Sequence, residues 1–171
     1  QRVVAARTTF SLGLDELDPI LANEFDPEYF TWMTQASWVE SVSENDTLLV
    51  VKLFHQHTDD KVVSMEQFSL GGVNTIRGYR ENQLIRDNAF IISPELRFPV
   101  YKDRYGKAQV YLIPFFDYGV GWNSNGPRER EDIYSAGLGV TYNPTDHISM
   151  SLYWGHGFED FGVQNDEDLQ D

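Results

Sequence analysis

The sequence predicts an all-β fold, an antiparallel up-and-down portion of a transmembrane β-barrel with about seven strands. Three observations predict it. Apolar and polar residues alternate with period two in long stretches, the mark of strands with one apolar face. The connections between those stretches alternate long and short, so every long loop falls at one end. The face opposite the apolar one carries glycine, serine and charge, including Glu95, Arg97 and Asp117. Such groups suit a wet lumen and not the dry core of a sandwich.

The strands follow in order. Residues 8–15 place Phe10, Leu12 and Leu14 on one face, against Thr9, Ser11 and Gly13. Residues 16–28 read as a long acidic loop with Pro19, Pro27 and a helical turn at 20–23. Residues 30–40 set Phe30, Trp32, Thr34, Ala36 and Trp38 against Thr31, Met33, Gln35 and Ser37. After a short turn at 41–45, residues 47–58 form a third strand. Its first half is apolar on both faces, so periodicity alone does not orient it.

Residues 89–100 alternate cleanly, with Phe90, Ile92, Pro94, Leu96, Phe98 and Val100 opposed by Ala89, Ile91, Ser93, Glu95 and Arg97. A charged turn at 101–106 leads to residues 109–123. There an apolar row from Val110 to Trp122 opposes Tyr111, Ile113, Phe115, Asp117, Gly119 and Gly121. A polar loop at 124–131 precedes a sixth strand at 134–142. A tight turn at 143–146 precedes the seventh, at 148–158.

Several of these stretches reach ten residues, near the length a tilted membrane strand needs and beyond the usual globular strand. Aromatics stand near their ends on the apolar face, among them Trp38, Trp122, Tyr142 and Trp154, as in a membrane-interface girdle. Mean hydropathy is −0.42. A membrane barrel gives such an average because only alternate residues face lipid. The 171 residues contain 27 Asp and Glu against 13 Lys and Arg, a formal charge of −14 that repels nucleic acid phosphates. Cysteine is absent, which excludes a disulfide framework and thiolate metal sites. A strand pattern begins almost at Gln1 with no leader before it, so the chain reads as a piece of a longer one.

Between the third and fourth strands lies the stretch around which the rest is organised, residues 61–88. It holds Gly71 and Gly72, then Ile76, Arg77, Gly78 and Tyr79. It is too long for a hairpin turn, and a long loop rich in aromatics between patterned strands reads as ordered and functional.

Residues 68–81, with Asp87-Asn88 and the Pro94-Glu-Leu-Arg-Phe-Pro99 run, resemble the two-partner secretion transporters of the outer membrane, the ShlB/FhaC/HecB type. Phe115-Phe-Asp-Tyr-Gly119 is similar to a second motif of that family, F-x-D-x-G. The resemblance implies a barrel of roughly sixteen strands, preceded by periplasmic POTRA domains. The whole of 1–171 would be part of that barrel, with no POTRA domain recognisable in it. The resemblance also implies that the loop folds from the extracellular side into the lumen. Arg77 would then pair with Asp117, with Glu95 a further candidate.

The implied function is passage of a large unfolded exoprotein from periplasm to cell surface, by an integral outer-membrane protein in contact with lipid and lipopolysaccharide. The implied protein is not an enzyme and takes no cofactor. A barrel of the same superfamily that inserts other barrels is the alternative, and an outer-membrane barrel enzyme a more distant one. The Arg80-Glu81 and Asp87-Asn88 surroundings favour secretion.

Other constellations are weak. His55, His57, Asp59 and Asp60 suit a solvated loop edge better than a metal site. His147 and His156 have serines nearby but no defined triad. The acidic run 166–168 lacks the glycine and spacing of a calcium loop.

Overall fold

The computed structural model describes residues 1–13, 28–124 and 130–159. The helical turn expected at 20–23, the end of the first predicted strand and the acidic run 166–168 lie outside the described residues. The strands are β1 (Arg2–Gly13), β2 (Tyr29–Ser41), β3 (Leu48–Thr58), β4 (Phe68–Leu70), β5 (Leu84–Arg86), β6 (Asn88–Lys102), β7 (Ala108–Trp122), β8 (Glu131–Thr145) and β9 (Ile148–Gly157). Seven of them form one sheet in the order β1-β2-β3-β6-β7-β8-β9, and β4 pairs with β5 in a small hairpin. Every pairing is antiparallel. The large sheet is therefore an up-and-down meander, open between β1 and β9.

Three details differ from the sequence reading. β1 starts at Arg2 rather than at residue 8. Val3-Val4-Ala5-Ala6 carries no polar alternation to announce it, and pairing with Trp38, Val39 and Glu40 of β2 extends it. β8 runs on through Asn143 and Pro144 to Thr145. A register shift between Tyr142 and Thr145 absorbs the proline, and the turn shrinks to Asp146 and His147. The β4–β5 hairpin was not expected, because three residues a side show no periodicity.

The short connections lie at one end and the long ones at the other. At the short end, the Asp103 carboxylate accepts from the N–H groups of Tyr105 and Lys107, which folds the β6–β7 turn.

Side chains directly opposite in register share a face. Trp38 faces Val51, Ile92 faces Tyr118, and Leu138 faces Trp154. This row stands outward and exposed, with Trp154 67% and Leu152 77% accessible. Asp117 lies opposite Ser135, and both are fully buried on the inner face. The register also orients β3, with Val50, Lys52 and Phe54 inward. Apolar outside and polar inside is the arrangement lipid demands. The core is what the inner face shares with the loop: Leu70, Ile76 and Leu84 pack on Ala89, Ile91 and Ile133, flanked by Phe54, Phe68 and Tyr79.

Candidate functional site

The loop between β3 and β6 turns inward and lays its tip on β6 to β9. Its tip is tied before it meets the wall. Gly71 and Gly72 take φ of 108° and 103°, open to glycine but not to L side chains. Thr75 Oγ1 donates to the Gly71 carbonyl at 2.8 Å and accepts from its N–H at 3.0 Å. The Gly72 N–H donates to the Ile76 carbonyl at 3.1 Å. This compact turn projects Ile76 and Arg77 at the wall.

Arg77 is 8% exposed and Asp117 and Glu95 still less. Arg77 Nε and Nη2 donate to the two oxygens of Asp117 at 2.8 and 2.7 Å, and its main-chain N–H donates to Oδ2 at 3.0 Å. Nη1 donates to Glu95 Oε2 at 2.9 Å. Arg97 satisfies the other oxygen of Glu95 through Nε and Nη2, at 2.9 and 2.6 Å. Two guanidinium groups thus balance two carboxylates. Burial opposes the charge on Arg77, but hydrogen bonds and charge from Asp117, and then from Glu95, hold its pKa above the ordinary arginine value.

The ring of Phe115 covers one face of the guanidinium, with Cζ 3.6 Å from its centroid, and Tyr153 stands 5.1 Å away. Residues 115, 117 and 119 lie on one face because a strand alternates. Phe115 stacks on the guanidinium, Asp117 takes its fork, and Gly119 leaves room for Ile76, whose Cδ1 would meet any Cβ there. That is a physical reason for an aromatic, an acid and a glycine at that spacing.

Gly78 rests on β9 so closely that a Cβ on Gly155 would lie 3.0 Å from Gly78 N. The Tyr79 ring fills the space a side chain at Gly157 would need. Tyr79 Oη donates to the Tyr134 carbonyl at 2.8 Å and accepts from the Glu159 N–H at 2.9 Å, extending the β8–β9 ladder.

Residues 1–142 match the model of the haemolysin secretion/activation protein family ShlB/FhaC/HecB. The chain belongs to this family. The part matched to ShlB/FhaC/HecB holds the loop, Arg77, Glu95 and Asp117, while β9 with Gly155 and Gly157 lies past its end. The fold is similar to that of CdiB from Escherichia coli, with a TM-score of 0.71 and 20% identity, over 92% of this chain and 30% of that one. The chain thus spans less than a third of the CdiB chain, and at this identity the likeness speaks to fold alone. No curated protein matches the sequence.

The structure brings Gly71, Gly72, Ile76, Arg77, Gly78, Tyr79, Glu95, Phe115, Asp117 and Gly119 into one assembly of loop tip and wall. His55 and His57 stack on the outer face instead, and no metal-binding group of His, Asp and Glu occurs among the described residues. The sequence reading places Arg97 inward as a lumenal charge but names no partner for it, and it gives no role to Tyr153, Gly155 or Gly157. Arg97 was detectable as the residue two along from Glu95 on the same face. The two β9 glycines carried the signal of alternating on the inward side.

Proposed function

We propose that this chain is part of the outer-membrane barrel of a two-partner secretion transporter. It passes one large, unfolded exoprotein from periplasm to cell surface, without enzymatic chemistry or a cofactor. The observation that carries the reading is the inward-turned loop, latched by Arg77 to Asp117 and Glu95, on the polar face of a sheet whose other face is apolar. Family membership supports the same reading. The remainder of the barrel and POTRA domains complete the working protein, lipid and lipopolysaccharide surround it, and the loop obstructs the lumen until a substrate displaces it.

The test is co-expression of the full-length protein with a large β-helical exoprotein encoded beside it, in a host that lacks the pair. Exoprotein should reach the surface or medium only when both are present. Retention of exoprotein in the periplasm, together with loss of unrelated barrels from the outer membrane when the protein is depleted from its own cells, would show an insertase instead.

A further inference from the structure

A second cluster of buried polar groups lies at the base of the loop, away from Arg77. Asp87 and Asn88 are each 1% exposed and end the return leg of the loop. The Asp87 carboxylate accepts from Gln67 Nε2 at 2.9 Å and from the Ser124 main-chain N–H at 3.0 Å. Its main-chain carbonyl accepts from Gln56 Nε2 at 3.1 Å, and the same nitrogen donates to the Glu66 carbonyl at 2.8 Å. Asn88 Oδ1 accepts from the Thr58 N–H at 2.8 Å, and its Nδ2 donates to Ser124 Oγ at 2.8 Å. Ser124 Oγ in turn donates to the Thr58 carbonyl at 2.7 Å, joining the ends of β3 and β7 over the start of β6.

We propose that Asp87 and Asn88, with Gln56, Gln67 and Ser124, form a clasp that fixes both legs of the loop to the barrel rim independently of the Arg77 latch, so that the tip leaves the wall while the base stays closed. Gln56 and Gln67 tie the outgoing leg to the return leg, and Ser124 ties both to β7. None of these residues takes part in the hydrogen bonds of Arg77.

The donor pattern makes the two neighbours non-interchangeable. Asp87 meets two N–H donors and a carboxylate accepts at both oxygens, whereas an amide there keeps both contacts only with Gln67 turned to present its Oε1. Asn88 Oδ1 meets the Thr58 N–H, with His57 Nδ1 3.1 Å away, and its Nδ2 donates to Ser124 Oγ, a pattern that an amide satisfies and a carboxylate does not. A compensating exchange follows. In D87N the Gln67 amide turns its Oε1 to the new N–H and keeps the contact, whereas Q67E breaks it and D87N/Q67E restores a complementary pair. Q67E alone sets two carboxylates face to face.

The test is amide hydrogen exchange on the full-length protein from outer membranes, read at β4 and β5. Q67E should speed exchange there about tenfold or more, as expected for a broken hydrogen bond, and D87N alone should change it little. D87N/Q67E should recover most of the loss, and Arg77→Ala should loosen 72–79 while leaving β4 and β5 protected. Gln67→Ala, at a partly exposed site, should also loosen the base and stands in should Q67E fail to assemble. Unchanged protection at β4 and β5 in Q67E and Gln67→Ala, equal loosening of the base by Arg77→Ala, or no recovery in D87N/Q67E would each overturn the clasp.

Discussion

Arg77 and Asp117 meet through three hydrogen bonds to one carboxylate, two from the guanidinium fork at 2.8 and 2.7 Å and one from the Arg77 main chain at 3.0 Å. The main-chain bond ties the loop's backbone, not only a side chain, to β7. The pair is buried, so its groups have little water to fall back on when parted. Breaking a buried pair by removing one partner costs about 3–5 kcal/mol, because the other charge is left uncompensated.

Arg77→Ala in the full-length protein should impair exoprotein transport while the barrel still assembles. Arg77→Lys should behave nearer to Ala than to wild type. An ammonium offers neither the planar fork that fits Asp117 nor the flat face that lies on Phe115. Secreted exoprotein is measured beside the heat-dependent gel shift of the folded barrel.

Asp117→Ala should reproduce the transport defect, since Glu95 alone takes only Nη1 of Arg77. The double variant should fall well short of the sum of the singles, because each removes the same contact. A sum equal to the two separate effects would mean that the residues act apart.

Gly119→Ala should weaken docking of the loop tip by crowding Ile76 Cδ1. Ile76→Val removes that atom, so the two changes together should restore amide protection of the tip. Gly155→Ala has no such remedy, because its Cβ would press on the main chain of Arg77 and Gly78.

Ala36→Arg and Gln35→Arg, adjacent on β2, should part sharply. Ala36 shares the outward row with Leu53 and Ile92, where an arginine costs about 2–4 kcal/mol at the membrane midplane. Gln35 shares the inward row with Arg7 and Phe54 and should accept the change. The level of folded protein in outer membranes reports the difference.

Much of this was legible in the sequence because strand parity is strict. Once the apolar row of β7 was placed outward, Phe115, Asp117 and Gly119 had to face in, and the same rule sent Glu95 inward on β6. The start of β1 was not legible, because Val3 to Ala6 lack alternation and owe their strand to β2. The contacts of Tyr79 with Tyr134 and Glu159 were not legible either. They depend on how far the loop reaches across the sheet, which no local pattern encodes. The roles of Asp87 and Asn88 required knowing which donors and acceptors the ends of β3 and β7 present to them.

The balance of Arg77 and Arg97 against Glu95 and Asp117 has a consequence for the proposed transport. One of the four charges rides on the loop and three stay on the wall. If the tip withdraws as proposed, Glu95, Asp117 and Arg97 are left with one unit of negative charge among them, with Lys52 the remaining cation beside Glu95. A basic side chain on a polypeptide threading past would meet that vacancy as a ready-made resting place, and its departure would invite Arg77 back. On the proposed reading, the position of the loop and the charge of the inner face therefore change together.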